Sequence, residues 1–501
     1  MLLLNGDPLT EPYTYDQLAR FIPLSRLERI EVYYDGSPFL SGGISANAAI
    51  NVVIEEGGRE APDVELDFTY GSSNRRARRA WFSTPEAHIT AVIAYDEYLQ
   101  DAFESYVPNP YTKLGKYDSR SVLTELKIAP KPDRSVAFRF HRYDDTYLGT
   151  GNSAFEDIRY DGYEARLGLR IDGFSLSLRQ RVVDVSRLLW STSAIDLEGG
   201  LRWIGSIRGV DGLIFMNASR SEFENIVSGA YFDPIVSGVE AGASAKGGFH
   251  FGLLWKAEIT AGDHSEIGEY LGGEAGISIR GIFAPRLEVA RRIRVPTVQE
   301  LFQPESLLTY SGSSYLVSGN HLLEPGTTDE LSAGASLGSI LDLALYLRDE
   351  KKRISVTDGR FETLDGGEVM GMRGRVMRGG TLYGIDYAVS ASAEYSDKAS
   401  EYSYGVPEYR GLGGLLLRRR FFKQTETLSL RYDFEIVGDR SWGDVDLESY
   451  MLHDVSASLT ILGARVVFQY KNILDESYET IPGFLMPGRH YTIGVWWELL
   501  D

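Results

Sequence analysis

Leu428-Ser429-Leu430-Arg431-Tyr432-Asp433-Phe434-Glu435-Ile436 alternates apolar and polar residues without a break. Successive side chains of a β-strand point to opposite faces. This stretch therefore has one wholly apolar face and one wholly charged or polar face. It is about nine residues long, the length a tilted strand needs to cross a bilayer. The same pattern sets Tyr163, Ala165, Leu167, Leu169 and Ile171 against Glu164, Arg166 and Arg170. It sets Leu341, Leu343, Leu345 and Leu347 against Asp342 and Arg348, and closes the chain as Tyr491, Ile493, Val495, Trp497 and Leu499 against Thr492 and Glu498. One such strand also fits a water-soluble sandwich. Many long ones point to an all-β membrane barrel, with lipid outside and water inside.

Bulk composition bounds the rest. The chain has 501 residues and no cysteine, which excludes disulfides and thiolate metal sites. Its 71 acidic residues outnumber 51 basic ones, for a net charge of −20. That balance argues against nucleic acid as a partner, since its binding rests on neutralised phosphates. The 30 tyrosines suit a chain with two membrane–water interfaces. No run of about 18 apolar residues exists, so no transmembrane helix is expected. Met1-Leu2-Leu3-Leu4 leads at once into Asn5-Gly6-Asp7, without the basic segment and apolar core of a signal peptide. An exported barrel needs such a segment, so either the start has been lost or the barrel reading is wrong.

Turn chemistry recurs at a spacing of about 40 residues, shorter on one side of the barrel than on the other. The expected tight turns are Thr84-Pro85-Glu86-Ala87, Pro130-Lys131-Pro132-Asp133, Asp172-Gly173, Asp211-Gly212, Lys246-Gly247-Gly248, Arg280-Gly281 and Gly338-Ser339. Others are expected near Ser390, near Phe422-Lys423 and at Leu462-Gly463. Longer polar stretches lie between, such as Tyr98 to Ser119 and Val183 to Asp196. Ten short turns between two periplasmic termini predict about 22 antiparallel strands, each with about 20 residues including its connection. A soluble propeller would share the period but carry four short strands and a repeated motif in each. No repeated motif is visible here.

Residues 1–58 do not read as barrel. Leu2-Leu3-Leu4, Leu27 to Val32 and Ala48 to Ile54 read as short strands, and Tyr15 to Phe21 as one or two helical turns. Leu27-Glu28-Arg29-Ile30-Glu31-Val32, Asp35-Gly36-Ser37, Ser41-Gly42-Gly43 and Ala49-Ile50-Asn51-Val52-Val53-Ile54 together resemble the second half of the plug domain of TonB-dependent outer-membrane receptors. Three later stretches extend the resemblance: Arg292 to Phe302, Gly319 to Gly326, and Tyr470 to Tyr478 followed by Pro487 to Tyr491. Departures from the family are the absence of a signal peptide, a TonB-binding segment and a first half-plug. The chain also ends Leu499-Leu500-Asp501, without a terminal aromatic residue, and has His321 where the family usually has proline.

The resemblance implies a partial α/β plug over 1–58 inside the lumen of a barrel over 59–501. It implies an outer-membrane receptor or transporter for a scarce, large solute (a ferric siderophore, haem, cobalamin or similar). The TonB-ExbB-ExbD inner-membrane complex would energise it. Outer-membrane lipid and lipopolysaccharide would surround it. Arg29 and Glu31 would form plug–barrel ion pairs. An incomplete plug instead implies a passive, porin-like channel.

Other charged groups are read from the residues alone. Arg75, Arg76, Arg78 and Arg79 are expected to meet lipopolysaccharide phosphates, an anionic substrate or neighbouring carboxylates. Asp144 with Asp145, and Asp342 with Asp349 and Glu350, read as acidic pairs without a partner base, open to calcium or left as solvated loop charge. The seven histidines show no metal-ligand spacing. No nucleophile elbow, phosphate loop or His-Glu-x-x-His motif occurs, so neither enzyme activity nor a cofactor is expected.

Overall fold

The computed structural model describes residues 2–4, 7–9, 27–33, 49–54 and most of 62–500. Within that last span it leaves out 86–87, 102–115, 132, 149–157, 187–189, 228–229, 233–234, 250–251, 297, 303–305, 311–312, 358–359, 398–405, 422–425, 443–444 and 482–483. Tyr15 to Phe21, the turns at 86–87 and 422–423, and His250 lie outside the described residues.

From Asp63 onward the chain winds as antiparallel neighbours into a closed ring. The last strand, His490–Leu500, pairs with the first, Asp63–Gly71, so no edge is left open. Two short strands, Ala230–Phe232 and Arg360–Asp365, are additions, since the long strands beside them pair directly with one another. The barrel therefore has 22 spanning strands.

The opening alternation holds. Strand Glu426–Val437 places Leu430 and Tyr432 on the outer face, both exposed, and Ser429, Arg431, Asp433 and Glu435 on the inner one. Leu345 is 62% exposed, Ile259 55% and Trp497 51%, all outward. Such apolar surface around a closed ring is stable only against hydrocarbon, and a closed ring satisfies every backbone group the bilayer would strand. This is a multi-pass membrane barrel of the outer-membrane type.

Several turns fall where expected, among them Asp172-Gly173 and Leu462-Gly463, whose members all have positive φ. Three do not. The turn expected at Asp211-Gly212 is Arg208-Gly209, and Asp211 pairs with Ser206 inside the hairpin. The turn near Ser390 is Tyr383-Gly384, leaving Ser390 in mid-strand opposite Met377 and Gly414. Strand Ile235–Gly248 runs through Lys246-Gly247-Gly248, and the turn follows it. In the first two cases the pair with positive φ lies nearby, and register decides which pair turns.

The polar stretch from Val183 to Asp196 is mostly strand: Phe174–Ser186 and Trp190–Ile207 leave only 187–189 between them. Above the bilayer a strand has water on both faces, so polarity there does not mark a loop.

Before the barrel, four short strands form one mixed sheet in the order Asp7–Leu9, Leu2–Leu4, Ala49–Ile54, Leu27–Tyr33. Leu2–Leu4 runs parallel to Ala49–Ile54, and the other pairs are antiparallel.

Candidate functional site

The inner face of the wall is a lattice of ion pairs. Arg79 reaches Asp96 at 2.9 Å and Asp67 at 3.7 Å. Arg139 meets Glu125 at 2.6 Å, and Arg181 meets Glu164 at 2.9 Å. Lys256 lies between Glu274 and Glu288, at 3.0 and 3.2 Å. Glu330 is held by Arg292 at 3.0 Å and by Arg348 at 3.1 Å, with Arg292 and Glu330 both buried. Each partner sits on a neighbouring strand or the next but one, where cross-strand side chains come close. Each charge is satisfied by a neighbouring counter-charge, so the wall is charged without being unstable.

Parts of the inner wall are shut off from water. Val183 is 0% exposed and Leu213 1%. Near the outer rim, Phe302 of the short helix Val298–Phe302 packs onto Ala194 and Val236 of the wall. The helix follows strand Phe283–Arg294, and Arg294 hydrogen-bonds Glu300 across the junction. The motif Arg292 to Phe302 thus does two things: it anchors the lumenal ion network and returns the chain toward the wall.

A second folded segment closes the outer rim between the last two strands. Asn472, with φ 50° and nearly no exposure, donates to the Glu476 carbonyl at 2.8 Å and accepts from the Glu476 N–H at 2.8 Å. Its own N–H donates to Asp454 at 2.9 Å. Asp475 accepts the N–H of Arg489 at 2.7 Å and pairs with its guanidinium at 3.2 Å. The rings of Tyr450 and Tyr478 meet at a tilt with centroids 4.5 Å apart, and Arg440 lies over the Tyr450 ring at 4.9 Å.

The arginine cluster after the first turn divides between faces. Arg79 points inward to Asp67 and Asp96. Arg78 points outward to Glu97 at 3.5 Å, and Arg120 joins the same carboxylate at 3.7 Å. Arg76 is held by Asn74, and Arg75 lies over the Tyr98 ring at 5.3 Å. Charge balance with neighbouring carboxylates accounts for Arg78 and Arg79.

For three of the acidic groups read as lacking a partner base, Asp342, Asp144 and Glu350, that reading is corrected. Arg286 holds Asp342 through two hydrogen bonds, Arg159 holds Asp144 at 2.9 Å, and Arg348 stands 3.9 Å from Glu350. The partner of Asp342 lies 56 residues away in sequence, beyond any local reading. Asp63, Glu65 and Glu498, unnoticed in the sequence, converge at the closing seam with oxygens within 4.8 Å of one another. The indole of Trp496 donates to Glu65 at 3.2 Å. The backbone of Arg29 and Glu31 lies in strand Leu27–Tyr33, opposite Val53 and Asn51. Their side chains lie outside the described residues.

No protein-family model and no curated protein sequence matches the chain. Solved structures do match its fold. The siderophore receptor PirA from Pseudomonas aeruginosa superposes with a TM-score of 0.74 at 14% identity, over 99% of this chain and 91% of that one. The copper transporter OprC gives 0.75 at 13%, over 99% and 90%. The FrpB iron transporter from Neisseria meningitidis gives 0.72 at 11%, over 95% and 88%. The fold of this chain is that of the TonB-dependent outer-membrane receptor barrel.

Proposed function

We propose that the chain is an outer-membrane receptor that captures a scarce, large solute at the outer rim and passes it through the lumen. The observation that carries this reading is a contrast. A ring of 22 strands is too wide for its own side chains to fill, yet wall residues such as Val183 and Leu213 are closed off from water. A wide barrel whose inner wall is in part shielded from water suits gated passage better than free diffusion. Residues 1–58 would act as the partial plug, with Arg29 and Glu31 as plug–barrel contacts. A ferric siderophore, haem, cobalamin or a similar solute fits the bore, and the named iron, siderophore and copper proteins of the same fold support that class. Energy would come through TonB.

A porin-like channel is the second reading, favoured by a polar cavity of about 400 Å³ left open along one part of the wall. One pair of experiments separates the two. Cells carrying the chain, with and without TonB, are tested for uptake of an iron-labelled siderophore, haem and cobalamin. The purified protein is then placed in a planar bilayer. TonB-dependent uptake with a closed barrel supports the receptor. Large, steady openings and TonB-independent uptake overturn it in favour of the channel.

A further inference from the structure

The lumenal wall changes character across strands Tyr409–Phe421, Glu426–Val437, Tyr450–Ile461 and Ala464–Lys471. Elsewhere Arg139, Arg181, Arg286 and Arg292 each hold a carboxylate. Here the open cavity of about 400 Å³ is lined by four cations, Arg418, Arg431, Arg465 and Lys471, against two carboxylates, Asp433 and Asp454. Arg431 is committed to Asp433 on its own strand at 2.7 Å. Asp454 accepts the N–H of Asn472. Among the described residues, the side chains of Arg418, Arg465 and Lys471 make no hydrogen bond and no ion pair. A positive surplus thus faces the lumen in a chain whose net charge is −20.

The floor between these cations is built of small hydroxyls. Arg418 stands opposite Ser429, which stands opposite Ser458. In the next row up, Arg431 stands opposite Ser456, and Ser456 opposite Gln469. Arg465, opposite Thr460, closes the far margin. Arg418 and Arg465 are three strand spacings apart, about 14 Å along the wall. Serine hydroxyls donate hydrogen bonds and leave room above them. A guanidinium presents its donors in a fixed fork that matches carboxylate and phosphate oxygens.

We propose that this wall binds an oxyanion, a solute carrying carboxylate or phosphate groups, between Arg418 and Arg465 over the serine floor. Both arginines lie near the short-turn ends of their strands, well below the outer rim. A solute captured at the rim would meet them on its way through. The site depends only on the barrel wall, so it stands whether the chain is energised or simply conducts.

The test is calorimetric titration of the full chain, folded in detergent, with inorganic phosphate and with citrate in turn. Saturable binding that weakens with added salt is expected. Replacing both arginines, Arg418→Gln with Arg465→Gln, should weaken it about tenfold or more, the scale of a lost charge-assisted hydrogen bond. Arg170→Gln, a lumenal arginine across the bore, should leave it unchanged. If the double variant loses the heat-dependent gel shift of a folded barrel, Ser458→Leu keeps both guanidiniums, fills the floor and should weaken binding in their place. Preference for citrate marks a carboxylate-bearing solute, and preference for phosphate a phosphorylated one. No binding of either anion, or equal binding by the wild type and every folded variant, overturns the proposal. Loss of cellular uptake with anion binding intact would instead count against the receptor reading alone.

Discussion

Arg286 and Asp342, 56 residues apart, are joined by two parallel hydrogen bonds of 2.7 and 2.9 Å across the inner face of the barrel. The strand Gly326–Leu337 lies between theirs, and its Ser336 donates to the same carboxylate at 2.6 Å. The pair is partly open to water, so its worth is that of a well-oriented but hydrated ion pair. A double-mutant cycle with Arg286→Met and Asp342→Asn should return a coupling of about 1 kcal/mol in urea unfolding. A coupling indistinguishable from zero would show that the fork does not stabilise the wall.

Leu345 tests the membrane face. It is outward and 62% exposed, whereas Ser392 is half-buried on the lumenal face. Leu345→Arg should destabilise the barrel in lipid vesicles by about 2–4 kcal/mol, while Ser392→Arg should cost under about 1 kcal/mol. Equal costs at the two positions would mean that the two faces do not differ in solvent, and would overturn the assignment of Leu345 to the lipid face.

Gly371 marks a close approach on the lumenal side. A Cβ there would stand 2.3 Å from the ring of Tyr346 and 2.7 Å from the Tyr395 carbonyl. The ring is buried, and its hydroxyl reaches Glu394 at 3.2 Å. Gly371→Ala should cost about 1–3 kcal/mol through the forced shift. Shortening the ring, as Tyr346→Ala with Gly371→Ala, should recover part of that loss relative to the sum of the single changes. Strict additivity would remove the steric explanation.

Asn472 is the latch of the last outer segment. Asn472→Ala removes two hydrogen bonds to Glu476 and leaves a residue poorly suited to φ 50°. The expected cost is about 2 kcal/mol, felt locally as faster protease cleavage within 472–489. Asn472→Gly restores the backbone freedom but not the hydrogen bonds, so it should fall between the two. If all three proteins are cleaved at the same rate, the latch does not order the segment.

Much of the barrel was legible in the residues themselves. Leu428 to Ile436 and Tyr491 to Leu499 announce strand, inner face and outer face together, because period-two alternation is a property of the single chain. The count of 22 strands followed from turns, and survived the misplacement of turns at Asp211-Gly212 and Ser390. A hairpin shifted by a few residues still reverses the chain once. The motif Arg292 to Phe302 likewise sits at a strand end as read, though nothing local says that Phe302 packs onto Ala194 and Val236.

By itself the sequence determined which residues face lipid and which face the lumen, and how many times the chain crosses. Only the tertiary structure decided the partners: that Asp342 answers to Arg286, that Arg78 answers to Glu97 while Arg79 answers to Asp96, and that Arg418 and Arg465 line one cavity. Facing follows from alternation within a strand. Partnership follows from register between strands, and register is set by turns and closure of the ring, which no single segment contains.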